Sequence, residues 1–295
     1  MNNFFLQTLT GLQISALYML IALGLTLVFG TLGVVNFAHG ALFMLGAYFA
    51  VEIASQFGFE VAIVAVPILL FIVGVALERG LIRHFYERSH TDQILVTFGL
   101  AIVIGEVLKT IYGANNIPFA KPTWGTGILR LDEYLPFLDG AVYYPKWRLI
   151  LVVVSFSTVA ALFILLQFTK FGLIVRAGMR DSQMIAFLGV NITRRFTIVF
   201  GIGSIIAAIA GIFGGPITQV EPELGMKLLI PSFLVVVVGG MGSLPGAVLA
   251  SLIFGMAISF TAEYAPIQQI IIYLIAVVIL LVRPRGLMGK KGLME

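Results

Sequence analysis

The sequence predicts an all-α fold: a polytopic transmembrane helical bundle of about eight or nine membrane segments, some of them broken or re-entrant. Three observations predict it. The 295 residues are 60% hydrophobic and only 11% charged, with a mean hydropathy of +1.07, whereas a soluble domain is nearer half apolar and a quarter charged. Apolar stretches of about 20 residues, each long enough to cross a hydrocarbon core, recur along the chain. The alternating pattern of a membrane strand is absent, and backbone polar groups in lipid must pair within a helix or a closed barrel. No separate soluble domain fits between the stretches, so residues 1–295 form a single transmembrane domain. There are no cysteines, which excludes thiolate metal sites, thiol catalysis and disulfides. The opening Met1-Asn2-Asn3-Phe4 has no basic n-region, so no cleaved signal peptide is expected.

In order, the apolar segments are residues 9–29, 33–57, 61–81, 94–112, 149–168, 196–215, 224–240, 246–261 and 267–282. Three short stretches carry twelve of the 18 Lys and Arg residues: Arg79, Arg83 and Arg88; Lys170, Arg176, Arg180, Arg194 and Arg195; and Arg283, Arg285, Lys290 and Lys291. By the positive-inside rule all three are cytoplasmic. Two segments separate the first stretch from the second and four separate the second from the tail, so the parity agrees and the C-terminus is cytoplasmic. The external connection, 113–147, balances Lys121, Arg130 and Lys146 against Asp132, Glu133 and Asp139. Three segments precede the first basic loop, which puts the N-terminus outside if all span, or inside if the second only dips into the membrane. The net charge of +4 sits in these loops and bears on orientation, with no nucleic-acid patch implied.

A faint internal repeat pairs Gly33-Val34-Val35-Asn36-Phe37-Ala38-His39-Gly40-Ala41 with Gly239-Gly240-Met241-Gly242-Ser243-Leu244-Pro245-Gly246-Ala247. Paired Gly/Pro-broken segments in two halves point to a transport pathway, which makes Asn36, His39, Gly40, Gly240, Gly242 and Ser243 its candidate residues; close helix packing is the alternative. In the basic loop 170–195, Asp181 or Ser182 caps a short helix and Gly189 suits the left-handed position after it. Met184, Ile185 and Leu188 then share one face, flanked by Arg176 and Arg180. Such a knob suits docking into a partner's groove, or lying on lipid headgroups. Glu106 and Lys109, three apart on one helical face, form a structural ion pair. Glu52 is solvated at an outer helix end, and Glu78 pairs beside Arg79 or snorkels. No His/Asp/Glu cluster suggests a metal, and no nucleophile–base spacing suggests catalysis.

The 176–191 loop, Asn36-Phe37-Ala38-His39-Gly40, the run VVVVGGMGSLPGA at 235–247 and the ending Arg283-Pro284-Arg285-Gly286-Leu287 together resemble permeases of branched-chain amino acid ABC importers. That resemblance implies a membrane-spanning permease subunit of an ATP-driven importer in a bacterial inner membrane. It also implies a second homologous permease, two cytoplasmic ATPases and a periplasmic binding protein as partners, with the Asp181–Leu188 stretch as the helix that couples to the ATPase. The family also includes permeases for urea and short amides, and an ion-coupled secondary carrier is the rival class. No G-x-x-x-x-G-K-[ST] loop is present: Gly286-Leu287-Met288-Gly289-Lys290-Lys291 has the wrong spacing. The chain is therefore expected to be no enzyme and to hold no cofactor, ATP being bound by partner subunits.

Overall fold

The computed structural model describes residues 2–134 and 140–289, apart from the side chains of 180, 182, 183, 265–267 and 269. Asp139, Lys290 and Lys291 thus lie outside the described residues, as do the side chains of Arg180 and Ser182. The helices run α1 (Asn2–Leu32), α2 (Ala38–Phe57), α3 (Phe59–Gly80), α4 (His90–Tyr112), α5 (Lys146–Phe168), α6 (Lys170–Arg180), α7 (Ser182–Phe187), α8 (Ile192–Thr218), α9 (Leu224–Gly239), α10 (Leu244–Phe260) and α11 (Ala265–Val282). Six of them are long and apolar enough to cross a membrane, and α9 to α11 are shorter apolar helices. The connection between α4 and α5 holds one small antiparallel pair, β1 (Ile128–Arg130) with β2 (Tyr143–Pro145). This short pair lies in the connecting loop, and the bundle itself is all-helical as expected.

Glycine sets the helix packing. Gly11 of α1 lies on Met256 of α10, and Gly255 of α10 lies on Ser15 of α1. Gly74 of α3 abuts Ser204 of α8, while Gly46 of α2 abuts Ala208 and Gly211 abuts Ala47. Without a hydrophobic drive between helices in lipid, such close backbone approach supplies the dispersion contacts that hold a bundle together. α1 and α8 form the centre and are mostly buried. α3, α4, α5 and α11 form the periphery, with apolar side chains such as Ile68, Val103, Phe163 and Val277 exposed. A lipid-facing belt requires that distribution.

These contacts also fix direction. Gly30, near the end of α1, meets Gly242, and Gly240 packs on the tail at Arg285 and Gly289. Arg83 donates to Thr197 near the start of α8. α1 runs antiparallel to both α8 and α10, so the three basic stretches share one end of the bundle, as far as they are described. At the far end, the Tyr144 hydroxyl donates to the Leu9 carbonyl and Ser259 donates to Gln7. The N-terminus is therefore at the far end, the outcome expected if three segments precede the first basic loop.

The molecule is an inverted repeat. α1 crosses to the basic end, residues 33–37 turn back without helical hydrogen bonding, and α2 starts inside the bundle. In the second half α8 crosses to the far end, residues 219–223 turn back through a short non-helical link, and α9 starts inside the bundle. The turns match: Gly33 has φ +67° and Gln219 has φ +63°. The packing matches too. α2 lies on α8 as α9 lies on α1, and α3 lies on α8 as α10 lies on α1. The counterpart of 33–41 is consequently the stretch after α8, and the pairing of 33–41 with 239–247 is corrected. The latter stretch joins α9 to α10 and resembles the former only because both need glycine at tight approaches. Pro231 lies within a continuous α9. With 16 residues, α9 rises about 24 Å at 1.5 Å per residue, short of a full span.

Candidate translocation and coupling sites

Residues 33–37 are fastened to α4. The Phe37 amide donates to Thr97 Oγ1 at 3.0 Å, while the Thr97 hydroxyl itself donates back to the Gln93 carbonyl of α4 at 2.7 Å. Asn36 Oδ1 accepts from the Ala38 amide at 3.1 Å, which opens the first turn of α2. His39 packs against Gly24 of α1, and both its ring nitrogens, like Asn36 Nδ2, lack a partner among the described residues. Asn36 and His39 are 2% and 1% exposed, so in this conformation neither lines an open space. Gly40 meets Gly225 in a backbone crossing: a Cβ on Gly40 would stand 2.5 Å from the Gly225 carbonyl oxygen. The two interrupted helices, α2 and α9, therefore cross at their first turns.

Gly240, Gly242 and Ser243 form a different site. Ser243 Oγ accepts from the Gly246 amide at 3.2 Å and caps α10. The tail adds backbone bonds from Leu287 to Val238 at 2.8 Å and from Met288 to Gly239 at 3.0 Å. His39 contacts α1 at Gly24 and Gly242 contacts it at Gly30, six residues or about 9 Å along the helix. The structure does not bring the two candidate groups together.

A cleft of about 130 Å³ opens between α4 and the start of α9, with α2 as its floor at Ala41 and Met44. Glu106 and Lys109 line it and pair at 3.7 Å. The ion pair is as expected, but its side chains are 67% and 48% exposed, not buried. Beside it Lys227 bonds Glu221 at 2.6 Å and lies 3.6 Å from Glu223. Glu52, exposed, accepts from Gln56.

At the basic end, Glu78 is wholly buried, and its partner is Arg83 and not Arg79. Arg83 donates two bonds to the carboxylate at 3.1 and 2.9 Å and one to Thr197 Oγ1 at 2.6 Å. Tyr86 donates to Glu78 at 2.9 Å, and burial together with that carboxylate pushes the Tyr86 phenol up, which keeps it a donor. This cluster ties the end of α3 to the start of α8, and five-residue spacing across a helix end hid it.

α7 is built as its termini predict. Asp181, not Ser182, caps it, accepting from the Met184 amide at 2.8 Å. Gly189 follows with φ +78°, and Asn191 caps α8 from the Arg194 amide at 2.9 Å. The exposed knob is Met184 (58%), Phe187 (87%) and Leu188 (71%). Ile185 is only partly exposed, so Phe187 replaces it on the presented face; a three-residue step from Met184 was the signal that could have found it. Arg176 donates to the Leu166 carbonyl and to Gln167 Oε1, holding α6 to the end of α5 and not facing the knob.

The family model described as the permease component of branched-chain amino acid transport systems matches residues 7–283. The high-affinity branched-chain amino acid transport system permease protein LivH of Salmonella typhimurium is 26% identical, over 97% of this chain and 96% of its own length. BraD of Pseudomonas aeruginosa, which bears the same description, is 28% identical over 96% and 95%. The fructose import permease protein FrcC of Rhizobium meliloti is 28% identical over 83% of this chain and 68% of its own length. No solved structure matches.

Proposed function

Because the chain belongs to the branched-chain amino acid permease family, we propose that it is the membrane-spanning subunit of an ATP-driven importer of branched-chain amino acids. The basic end is cytoplasmic and includes the C-terminus, by the excess of Arg and Lys there. The membrane is the bacterial inner membrane, and the chain acts with a second permease, two ATPases and a periplasmic binding protein. It hydrolyses no ATP itself.

The observation that carries this reading is the α7 knob. Three large apolar side chains stand exposed on a short helix capped at both ends. A capped helix holds its shape under load, and an apolar anchor group in a groove transmits force from a partner. An ion-coupled carrier working alone has no use for it. The inverted repeat supports transport independently, since paired interrupted helices are where such proteins put their pathway.

The test is affinity purification of the tagged chain from its native membranes in mild detergent. A P-loop ATPase and a homologous permease should elute with it in fixed ratio. Elution as a homogeneous single polypeptide with full leucine-transport activity contradicts the proposal.

A further inference from the structure

The cleft between α4 and α9 has a composition that lipid does not tolerate. α4 has 23 residues, about 34 Å of rise, and Glu106 stands six residues, about 9 Å, inside its far end. A charged side chain facing hydrocarbon is costly, so ionisable groups within a span as a rule face protein or water. The neighbouring stripe of α4 shows the contrast: Val103, Val107 and Ile111 are all exposed and wholly apolar. One face of α4 is thus built for lipid and another, with Ile102, Glu106 and Lys109, is not.

The charges do not neutralise one another tightly. The Glu106–Lys109 contact is 3.7 Å long and leaves both groups largely exposed. Glu223 lies 3.6 Å from Lys227 and is also exposed. Between these cations and anions the walls are aliphatic: Met44 from α2, Ile102 from α4 and Met226 from α9. The floor lies where α2 and α9 cross at Gly40 and Gly225. Both charge signs, an apolar wall and a floor at the interrupted helices occur together nowhere else among the described cavities.

Given the permease reading on which this rests, we propose that the α4–α9 cleft is the outer vestibule for the amino acid. Lys109 faces the carboxylate and Glu106 and Glu223 face the ammonium, while Met44, Ile102 and Met226 hold the branched side chain. The charges then recognise what every amino acid carries, and the walls select aliphatic side chains. The loose pairing is functional in this scheme: a tight ion pair would have to be broken before either group could bind. The open side of the cleft is closed by the second permease.

The absence of cysteine gives a clean background for the experiment. Ile102→Cys and, on the opposite wall, Met226→Cys are introduced separately into the assembled transporter in proteoliposomes. Each is labelled with a membrane-impermeant thiol reagent from the outside. Val103→Cys, one residue along α4 on the apolar face, is the control. Cleft cysteines should react and Val103→Cys should not. Leucine at about ten times its half-protecting concentration should slow the cleft reaction about tenfold, and fructose, with neither charge, should not slow it. In the Lys109→Gln background the leucine protection should be lost while the reaction itself persists.

Reaction without leucine protection overturns the proposal, as does protection that survives Lys109→Gln. Reaction only with a membrane-soluble reagent would make the face a lipid surface. No reaction with either reagent, together with cross-linking to the second permease, would make it a subunit contact. ATP-driven leucine uptake by the unaltered transporter, in parallel vesicles, tests the permease reading separately: uptake there with the cleft unprotected sinks only the vestibule.

Discussion

Arg83 is the residue on which the basic end depends. Its removal strips the Glu78 side chain, 0% exposed, of the two bonds Arg83 donates and leaves Tyr86 as its donor. Breaking a buried pair from one side costs about 3 kcal/mol, so Arg83→Ala should lower the melting temperature of the detergent-solubilised protein markedly. Glu78→Gln should cost less, because it removes the charge and keeps an acceptor for Tyr86. Equal effects would mean that the carboxylate is solvated and the pair is cosmetic. The Gly40–Gly225 crossing makes a second prediction. A methyl on Gly40 stands 2.5 Å from a carbonyl oxygen that belongs to another backbone, and overpacking of this kind costs about 1–3 kcal/mol. Gly40→Ala should reduce the yield of monodisperse protein, whereas Gly99→Ala, with nothing within 4 Å of its new methyl, should not. Equal yields would show that the two helices part freely. At this scale the sequence was half legible. The Glu106–Lys109 pair follows from spacing on a helix, but Glu78 was matched to its neighbour because a bend after α3 brings Arg83 back in a way no periodicity shows.

The α7 element is short, and its stability is local. Asp181 and Gly189 could be recognised in sequence because a cap is defined by residues three positions apart and a stop by one backbone angle. Its exposed face could not be read fully, since which side Ile185 turns to depends on how α6 and α8 pack around it. If the knob docks on the ATPase, Leu188→Ala and Phe187→Ala should each weaken ATPase retention at least about tenfold, the usual cost of truncating a desolvated anchor being about 2 kcal/mol. Gly189→Val should act through strain at φ +78°, with insertion unaffected, and Asp181→Ala should cost about 1 kcal/mol of helix stability. The check is ATPase co-purification and substrate-stimulated hydrolysis at matched permease abundance. Wild-type values in both Leu188→Ala and Phe187→Ala would make α7 a surface helix.

At the scale of the whole molecule, two halves of opposite orientation each carry one interrupted helix, and the interruptions meet. The class of fold was plain from hydropathy. The repeat was not, because it lives in direction and packing, and because glycine at 239–247 mimics the break at 33–41. The true partner, Gln219 to Gly225, contains Glu221, Pro222 and Glu223 and resembles the first break in backbone but hardly in side chains. On the proposed reading, a partner docked on the α7 knob drives transport through these two interrupted halves. The direct test is leucine entry into sealed proteoliposomes that hold either this chain alone or the chain with its ATPase, second permease and binding protein. Leucine should accumulate only in the complete system and only with hydrolysable ATP, and the chain alone should show neither accumulation nor counterflow. Counterflow of leucine by the chain alone would contradict the account.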